Sequence, residues 1–523
     1  MLILPRPVTA RRPDSFLVLM ADQLAAGWLP AYGHRVVQAP NLSALAEAGT
    51  VFESAYTAFP LCAPARAAML TGRYASRVGV YDNAAEFRAG APTLVHALRA
   101  AGYHTAVSGK MHFVGPDQLH GFEERLTTDI YPADVDWTPD WSRPLTDPLP
   151  WYHTMESVLA PGICAASMQT DYDDEVAFQA QRKLYEIARH RPEQPYFLFV
   201  SFTNPHDPWE IPQRFWERYR RDEIDDPAVP AIGLEEADPH SRRLRAMCRV
   251  DQAGLTAEQV RRARHGYYAA ISYLDERIGQ VLGALRESGL EDSTTVLFCA
   301  DHGEMLGERG LWYKMSFLEQ SARVPFIVRS PGAAGSSGGS RRVTQPVSLA
   351  DFAPTVLELA GLPADAIAGP GDGVSLAGAA SGGEAAPDHP VISEYHAEGV
   401  QAPSAMIRSG AHKLIVSLED PDLLYDLEAD PRELHDLSTA PESAAVIARL
   451  RGELDRRLNL PEIGERVRAS QRERFLVSAA LRQGRPTPWD HDPPYEAATR
   501  YIRNREDMYE LQRRARLDSG TPE

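Results

Sequence analysis

A chain of 523 residues, 44% hydrophobic and 24% charged, is globular and long enough for two or three domains around at least one large core. Its 72 acidic against 54 basic residues give a formal charge of −18, which argues against a nucleic-acid binder, since polyphosphate binding needs a basic surface. Cys62, Cys164, Cys248 and Cys299 are widely scattered, form no CxxC pair and suggest no disulfide framework, so a reducing cytosol fits best. The opening MLILPRPVTARR places its arginines after the apolar run, the wrong order for a signal peptide. No apolar run approaches the roughly 18 residues of a membrane span, so the sequence reads as soluble and cytoplasmic, without a membrane partner.

In chain order, SFLVLMAD (15–22), HTAVSGKMHF (104–113), PYFLFVSFTNPHDP (195–208) and STTVLFCADHGE (293–304) each read as a buried strand ending in polar residues. Helical patterns lie between them. PTLVHALRAAG is one, and a long one follows Thr256, its N-cap, and stops at Gly289. This alternation predicts a mostly parallel α/β sheet with helices on both faces, whose ligands bind beyond the carboxyl ends of the strands. The stretches 333–340 and 377–388 read as exposed low-complexity loops. Short hairpin-linked strands and a helix at about 442–458 then predict a smaller α+β unit. The organisation expected is a catalytic domain over 1–376, the α+β subdomain over 389–470, and a tail over 471–523 whose aromatic content suggests docking.

Asp22 ends the first strand, and Asp301 with His302 ends another, so these groups could converge on one divalent cation. A single Asp at a strand end is more often a helix N-cap. Lys110, His112 and His206 lie at further strand ends, however, and Lys314 follows the Asp301 strand by a short loop. So many ionisable groups at one sheet edge are hard to explain as packing, because buried charges are costly unless paired or metal-bound. Cys62 heads a helix in FPLCAPARAAMLTGRYASR. A free cysteine is commonly a small buried hydrophobe, but Pro64 suits a first turn, whose dipole favours an anion, and Arg66 can fork onto the same anion. A reactive thiolate and a modified side chain both remain open.

The pattern Cys62-x-Pro64-x-Arg66 followed by AAMLTGR resembles the sulfatase signature, in which the cysteine is converted to formylglycine by a generating enzyme. MADQL, GKMH, NPHDP, ADHGE and LLYDLEADPRELHDL follow in the order that sulfatases show. SRVGVYDNAAEF and the run from Ser108 to Trp141 look more narrowly like the choline sulfatase branch, which is cytoplasmic. The resemblance implies the alkaline-phosphatase-like α/β fold. It also implies a formylglycine at Cys62, hydrated to a gem-diol: one oxygen attacks sulfur, the alcohol leaves, and a second hydroxyl, deprotonated by His112, expels sulfate. Asp22, Gln23, Asp301 and His302 would hold the cation. Gln23 and His302 stand where many sulfatases have Asp and Asn, which leaves Mn²⁺ competitive with Ca²⁺. Arg66 and Lys110 would offset sulfate charge, and His206 or Lys314 would protonate the leaving oxygen.

Tyr131, Trp137, Trp141, Trp151, Tyr152 and His153 could simply pack a long loop, or could bind a quaternary ammonium at roughly 0.5 to 2 kcal/mol each. By the resemblance, Trp137, His153 and Glu394 form the cage, and a tail residue, for which Asp507 is the candidate, reaches into a neighbouring subunit's site, so that a homotetramer follows. The implied reaction is hydrolysis of choline O-sulfate. The alternatives are an arylsulfatase, a phosphonate or phosphodiester hydrolase of the same superfamily, and a catalytically silent sensor of sulfate esters.

Overall fold

The structure is a computed structural model; it describes residues 14–332, 340–367, 369–383 and 386–484, and residues 513, 515 and 516 near the C-terminus. Its central sheet contains β1 (Ser15–Ala21), β2 (Thr50–Phe52), β3 (His104–Gly109), β4 (Glu124–Arg125), β5 (Tyr196–Ser201), β6 (Thr294–Ala300), β7 (Phe326–Arg329) and β8 (Arg341–Val343). Their spatial order is β8-β2-β7-β6-β1-β5-β3-β4. Neighbours run parallel except where β7 pairs with β2 and β6. The four strands expected from the sequence are the inner ones, with every residue of β1, β3, β5 and β6 buried. This explains their continuous apolar character, since a strand covered on both faces has no polar side to alternate with.

Two groups of helices flank the sheet. In one, α2 (Met168–His190) packs against α3 (Ala257–Glu287), whose N-cap is Thr256 as expected, the Thr256 side chain accepting from Gln259 N. In the other, α1 (Cys62–Thr71) packs with the helices Leu94–Ala100 and Phe352–Leu359. All ten residues of α1 are buried, so the helix has no solvent face and shows little amphipathic pattern.

The C-terminal unit is an antiparallel meander of β9 (Val391–Tyr395), β10 (Ser404–Ser409), β11 (His412–Ser417) and β12 (Leu423–Asp426), covered by the helix Ala444–Asp455. The stretch 377–388 is not loop throughout: Ala377–Ala380 forms a helical turn with three of its alanines buried. The helix α4 (Leu460–Leu481) runs without interruption through residue 470, so the α+β unit and the expected tail join inside one element. No helix among the described residues is long and apolar enough to cross a membrane.

Candidate active site

Strand register builds the site. β1 and β6 pair in parallel with Ala21 opposite Ala300, which sets Asp22 and Asp301 side by side as the next residues. On the other side of β1, Ser201 of β5 lies opposite Met20 and opposite Gly109 of β3. Lys110 and the segment 202–207 therefore emerge at the same sheet edge, the position where open α/β sheets bind ligands. Gly109 is a steric requirement there. It has φ +110°, and a Cβ would lie 1.9 Å from Ser201 O, so only glycine lets β3 approach closely enough for Lys110 N to donate to Ser201 O at 3.0 Å.

Cys62 occupies the first turn of α1, where Ala63 N donates to Asn83 Oδ1 at 3.0 Å. Its Sγ lies 3.1 Å from His302 Nε2, 3.5 Å from Lys110 Nζ and 3.8 Å from Asp22 Oδ1. One donor atom each from Asp22, Cys62, Asp301 and His302 falls within 4.8 Å of the others, and all four residues are buried. Arg66 donates through Nε to Asp301 Oδ2 at 2.8 Å and through Nη1 to Ser201 Oγ at 2.8 Å, while Nη2 makes no hydrogen bond and stands 3.8 Å from Asp22 Oδ2. Lys110 Nζ pairs with the same oxygen, Asp22 Oδ2. Burial alone would push the Asp22 carboxyl up, but the Lys110 ammonium and Arg66 guanidinium beside it hold it well below the usual carboxylate range. Two oxygen-bearing groups and an imidazole gathered in this way form a donor set that fits a divalent cation. Burial, reinforced by Asp22, pushes the Cys62 thiol up to about 12, so the protein groups around it favour the thiol over the thiolate.

A second polar group adjoins the first. Lys314 Nζ donates to Gln23 Oε1 at 2.6 Å and lies 2.8 Å from His206 Nε2 and 3.1 Å from His153 Nε2. Gln23 Nε2 donates to Glu304 Oε2 at 2.6 Å and to Asp207 Oδ1 at 3.1 Å. The side chain of Gln23 is thus turned toward Lys314, and it is the backbone N–H of Gln23 that meets Asp301, donating to Oδ1 at 3.1 Å. Burial and Lys314 hold the His206 and His153 imidazoles well below their ordinary value, hence neutral. His206 Nδ1 is 2.6 Å from the carbonyl oxygen of Asp207, so its proton sits there and Nε2 accepts from Lys314.

His112 is buried with both ring nitrogens unpartnered. Burial and the Lys110 charge lower it to about 3, leaving a neutral base. Asp129 holds its backbone, accepting from Met111 N and His112 N at 2.9 and 2.8 Å. Four non-glycine residues at or beside this site have left-handed φ: Gln23, His112, Tyr313 and Met315. Such backbone persists only where its surroundings over-determine it, and it clusters at functional positions.

The segment 131–153 folds over the sheet edge. Trp137 stacks on Trp151 with centroids 6.2 Å apart and lies 5.5 Å from Tyr131 and 6.0 Å from His112. His153 joins through Lys314 and packs against Tyr313 at 4.7 Å. Trp141 and Tyr152 are buried in the surrounding packing, Trp141 Nε1 donating to Ala397 O at 2.9 Å.

Glu394 is held by Ser76, whose backbone N donates to Oε2 at 3.0 Å and whose hydroxyl donates to Oε1. The carboxylate four residues on, Glu398, is 1% exposed, and neither of its oxygens has a hydrogen-bond partner. Burial raises its carboxyl to about 7. The chain reversal after β9 separates a carboxylate capped by Ser76 from one without a hydrogen-bond partner. Asp507 lies outside the described residues. The nearby tail residue Arg516 is described, and it donates to buried Glu210 through Nε at 3.0 Å and Nη2 at 2.8 Å.

Fold and site together define a hydrolase of the alkaline-phosphatase-like class. The sulfatase family model matches residues 14–362, and the chain belongs to the sulfatase family, the sulfuric ester hydrolases. A model described as choline sulfatase enzyme C terminal matches residues 465–517, and one described as N-sulphoglucosamine sulphohydrolase, C-terminal, matches 307–459. The chain is 45% identical to a choline-sulfatase of Rhizobium meliloti (strain 1021), over 98% of this chain and 100% of that one. It is 27% identical to an arylsulfatase of Clostridium perfringens, over 86% and 95% respectively. Among solved structures it resembles the phosphonate monoester hydrolase of Agrobacterium radiobacter, with TM-score 0.68, 27% identity, and coverage of 86% of this chain and 96% of that one.

Proposed function

We propose that the protein hydrolyses choline O-sulfate to choline and sulfate. The observation that carries this reading is the meeting of two unlike surfaces. One is a cationic, cation-ready pocket at Cys62. The other is an aromatic wall of Tyr131, Trp137 and Trp151, for which the buried carboxylate of Glu398, without a hydrogen-bond partner, is the proposed counter-charge. A sulfate anion suits the first, and a quaternary ammonium suits aromatic faces with a carboxylate behind them.

Asp22, Asp301 and His302 would hold the divalent cation, with Ca²⁺ and Mn²⁺ the candidates. Once bound it would supply charge neutralisation at a sulfate oxygen. The expected ligand Gln23 would have to exchange its bond to Lys314 for the metal. Oxidation of Cys62 by a formylglycine-generating enzyme would supply a hydrated aldehyde, the nucleophile that a buried thiol does not provide. Lys110 and the free Nη2 of Arg66 would offset the sulfate charge. His112, neutral and with both nitrogens open, would take a proton from the group at residue 62. Lys314 is the favoured acid for the leaving alkoxide, since His206 presents a lone pair to it and no proton. An aliphatic alcohol needs such an acid far more than a phenol does.

The remaining partner and compartment readings are proposals of the same standing. Four buried, unpaired cysteines suit a reducing cytoplasm. A homotetramer is supported by the outer side of α4, where Leu476, Val477 and Leu481 are exposed. The test of function is to compare turnover of choline sulfate, an aryl sulfate and a phosphonate monoester on one preparation with known Cys62 conversion. Choline sulfate is expected to have the highest kcat/KM. Preference for either of the others would overturn the reading in favour of an arylsulfatase or a phosphonate hydrolase.

A further inference from the structure

α4 lies far along the chain from every residue discussed above as touching substrate, yet one of its faces is joined to the site. Gln471, Arg474 and Ser478 recur at helical spacing and are all at most 8% exposed. Arg474 reaches Asp82 as a two-pronged pair, Nη1 to Oδ1 at 2.6 Å and Nη2 to Oδ2 at 2.7 Å, and Asp82 is fully buried. The same Nη1 donates to Thr138 Oγ1 at 3.2 Å. Gln471 Oε1 accepts from Trp141 N at 3.2 Å, and Ser478 Oγ donates to Asp136 Oδ1 at 2.7 Å. Three side chains of one helix therefore hold residues 136, 138 and 141, which bracket Trp137.

The other end of the bridge matters equally. Asp82 accepts from Ala84 N at 2.9 Å, shaping the turn that presents Asn83, and Asn83 Oδ1 receives the N–H of Ala63 beside Cys62. One guanidinium thus spans the loop that holds the start of the nucleophile helix and the segment that carries the aromatic wall. A bidentate arginine–carboxylate pair is the most directional ionic contact a protein can make, and a buried one is costly when half of it is removed.

We propose that Arg474 is a positioning residue for specificity: through Asp82 and Thr138 it fixes the aromatic wall at a set distance from residue 62, so that a substrate with sulfate at one end and a cationic head at the other fits both. This rests on the choline sulfate reading for its consequence in catalysis, but not for its consequence in structure. It also gives the C-terminal helix a task in the chemistry of a distant sheet edge.

The test uses the full chain with Arg474→Met, which keeps the apolar stem, Arg474→Lys, which keeps the charge, and the double variant Asp82→Asn/Arg474→Met, which leaves no buried charge unpaired. Hydrogen exchange without substrate should rise in peptides spanning 131–153 in Arg474→Met and stay unchanged in those spanning 15–22 and 294–302. KM for choline sulfate should rise about five- to thirty-fold, with kcat and the turnover of a small aryl sulfate within about twofold. Arg474→Lys should recover part of the loss, and the double variant should be no worse than Arg474→Met alone.

Unchanged exchange in 131–153 would overturn the proposal. So would equal losses on both substrates, or increased exchange with an unchanged KM. If the parent protein fails to turn over choline sulfate, the choline reading falls by itself, and the exchange data still decide whether Arg474 clamps the segment.

Discussion

Glu398, proposed above as the counter-charge for the cationic head, is a buried carboxylate whose ionisation costs stability. Burial raises its carboxyl to about 7, the Lys314 charge opposing the rise and the Asp82 charge adding to it. Because its folded pKa lies above the unfolded value, its folded form is favoured at low pH, and it costs stability as pH rises from about 4.5 through about 7. A neutral Glu398 offers no charge to an ammonium group. KM for choline sulfate should therefore rise as pH falls below about 7, and Glu398→Gln should raise KM at pH 8 and abolish that pH dependence. The same variant should be more stable at pH 8, by at most about 3 kcal/mol in denaturant unfolding. A variant that is less stable with an unaltered pH profile would remove Glu398 from the substrate site. Trp137→Ala should raise KM for choline sulfate about five- to thirty-fold while sparing a small aryl sulfate, as loss of a cation-π face requires. At the nucleophile, Cys62→Ala should abolish turnover, and peptide mass analysis of active protein should find an aldehyde at residue 62. Finding only unmodified thiol would sink the formylglycine assignment.

Among the elements, the loop after β5 is held from α2 by Asp173 and by Gln169, whose Nε2 donates to Asp207 O at 2.8 Å. Asp173 accepts from Thr203 N and Oγ1 at 2.7 and 2.9 Å and from Asn204 N and Nδ2 at 2.9 and 2.8 Å. These bonds, with that of Gln169, fix the segment that presents His206 to Lys314. Asp173→Asn replaces an acceptor oxygen with a donor amide and sets it against donors, which should cost on the order of 2 kcal/mol in unfolding free energy and lower kcat more than it changes KM. An unaltered kcat would show that His206 is placed by other contacts. The strands themselves were legible in the sequence because each is an unbroken apolar run ending in ionisable residues, and their common register then makes Asp22, Lys110 and Asp301 neighbours without further information. The site was less legible wherever position depends on loops. Nothing in residues 131–153 says which aromatics stack and which are core, and nothing local separates Glu394 from Glu398. The partners of Asp82 and of Asp173 sit 392 and about 30 residues away, set by the path of whole helices.

For the whole molecule, the open question is what covers the outer side of α4. Its inner face is spent on the aromatic segment, yet Phe475, Leu476, Val477 and Leu481 are 36%, 73%, 46% and 70% exposed. Four large apolar side chains within seven residues form more apolar surface than a helix end normally leaves in water, and the hydrophobic effect favours covering it. If copies of the chain meet there, the assembly buries the back of the same helix whose front positions Trp137, and oligomerisation would stiffen the substrate segment. Leu476→Lys/Leu481→Lys would place two charges in that contact, where desolvation makes them costly. The double variant should therefore sediment as a smaller species than the parent, with the mass ratio measured by analytical ultracentrifugation. It should also show a raised KM for choline sulfate that recovers at high protein concentration, since mass action restores the contact. A variant of unchanged mass would mean that copies of the chain do not meet through α4. A variant of smaller mass with unchanged KM would mean that assembly through α4 leaves the substrate segment as it is in the single chain.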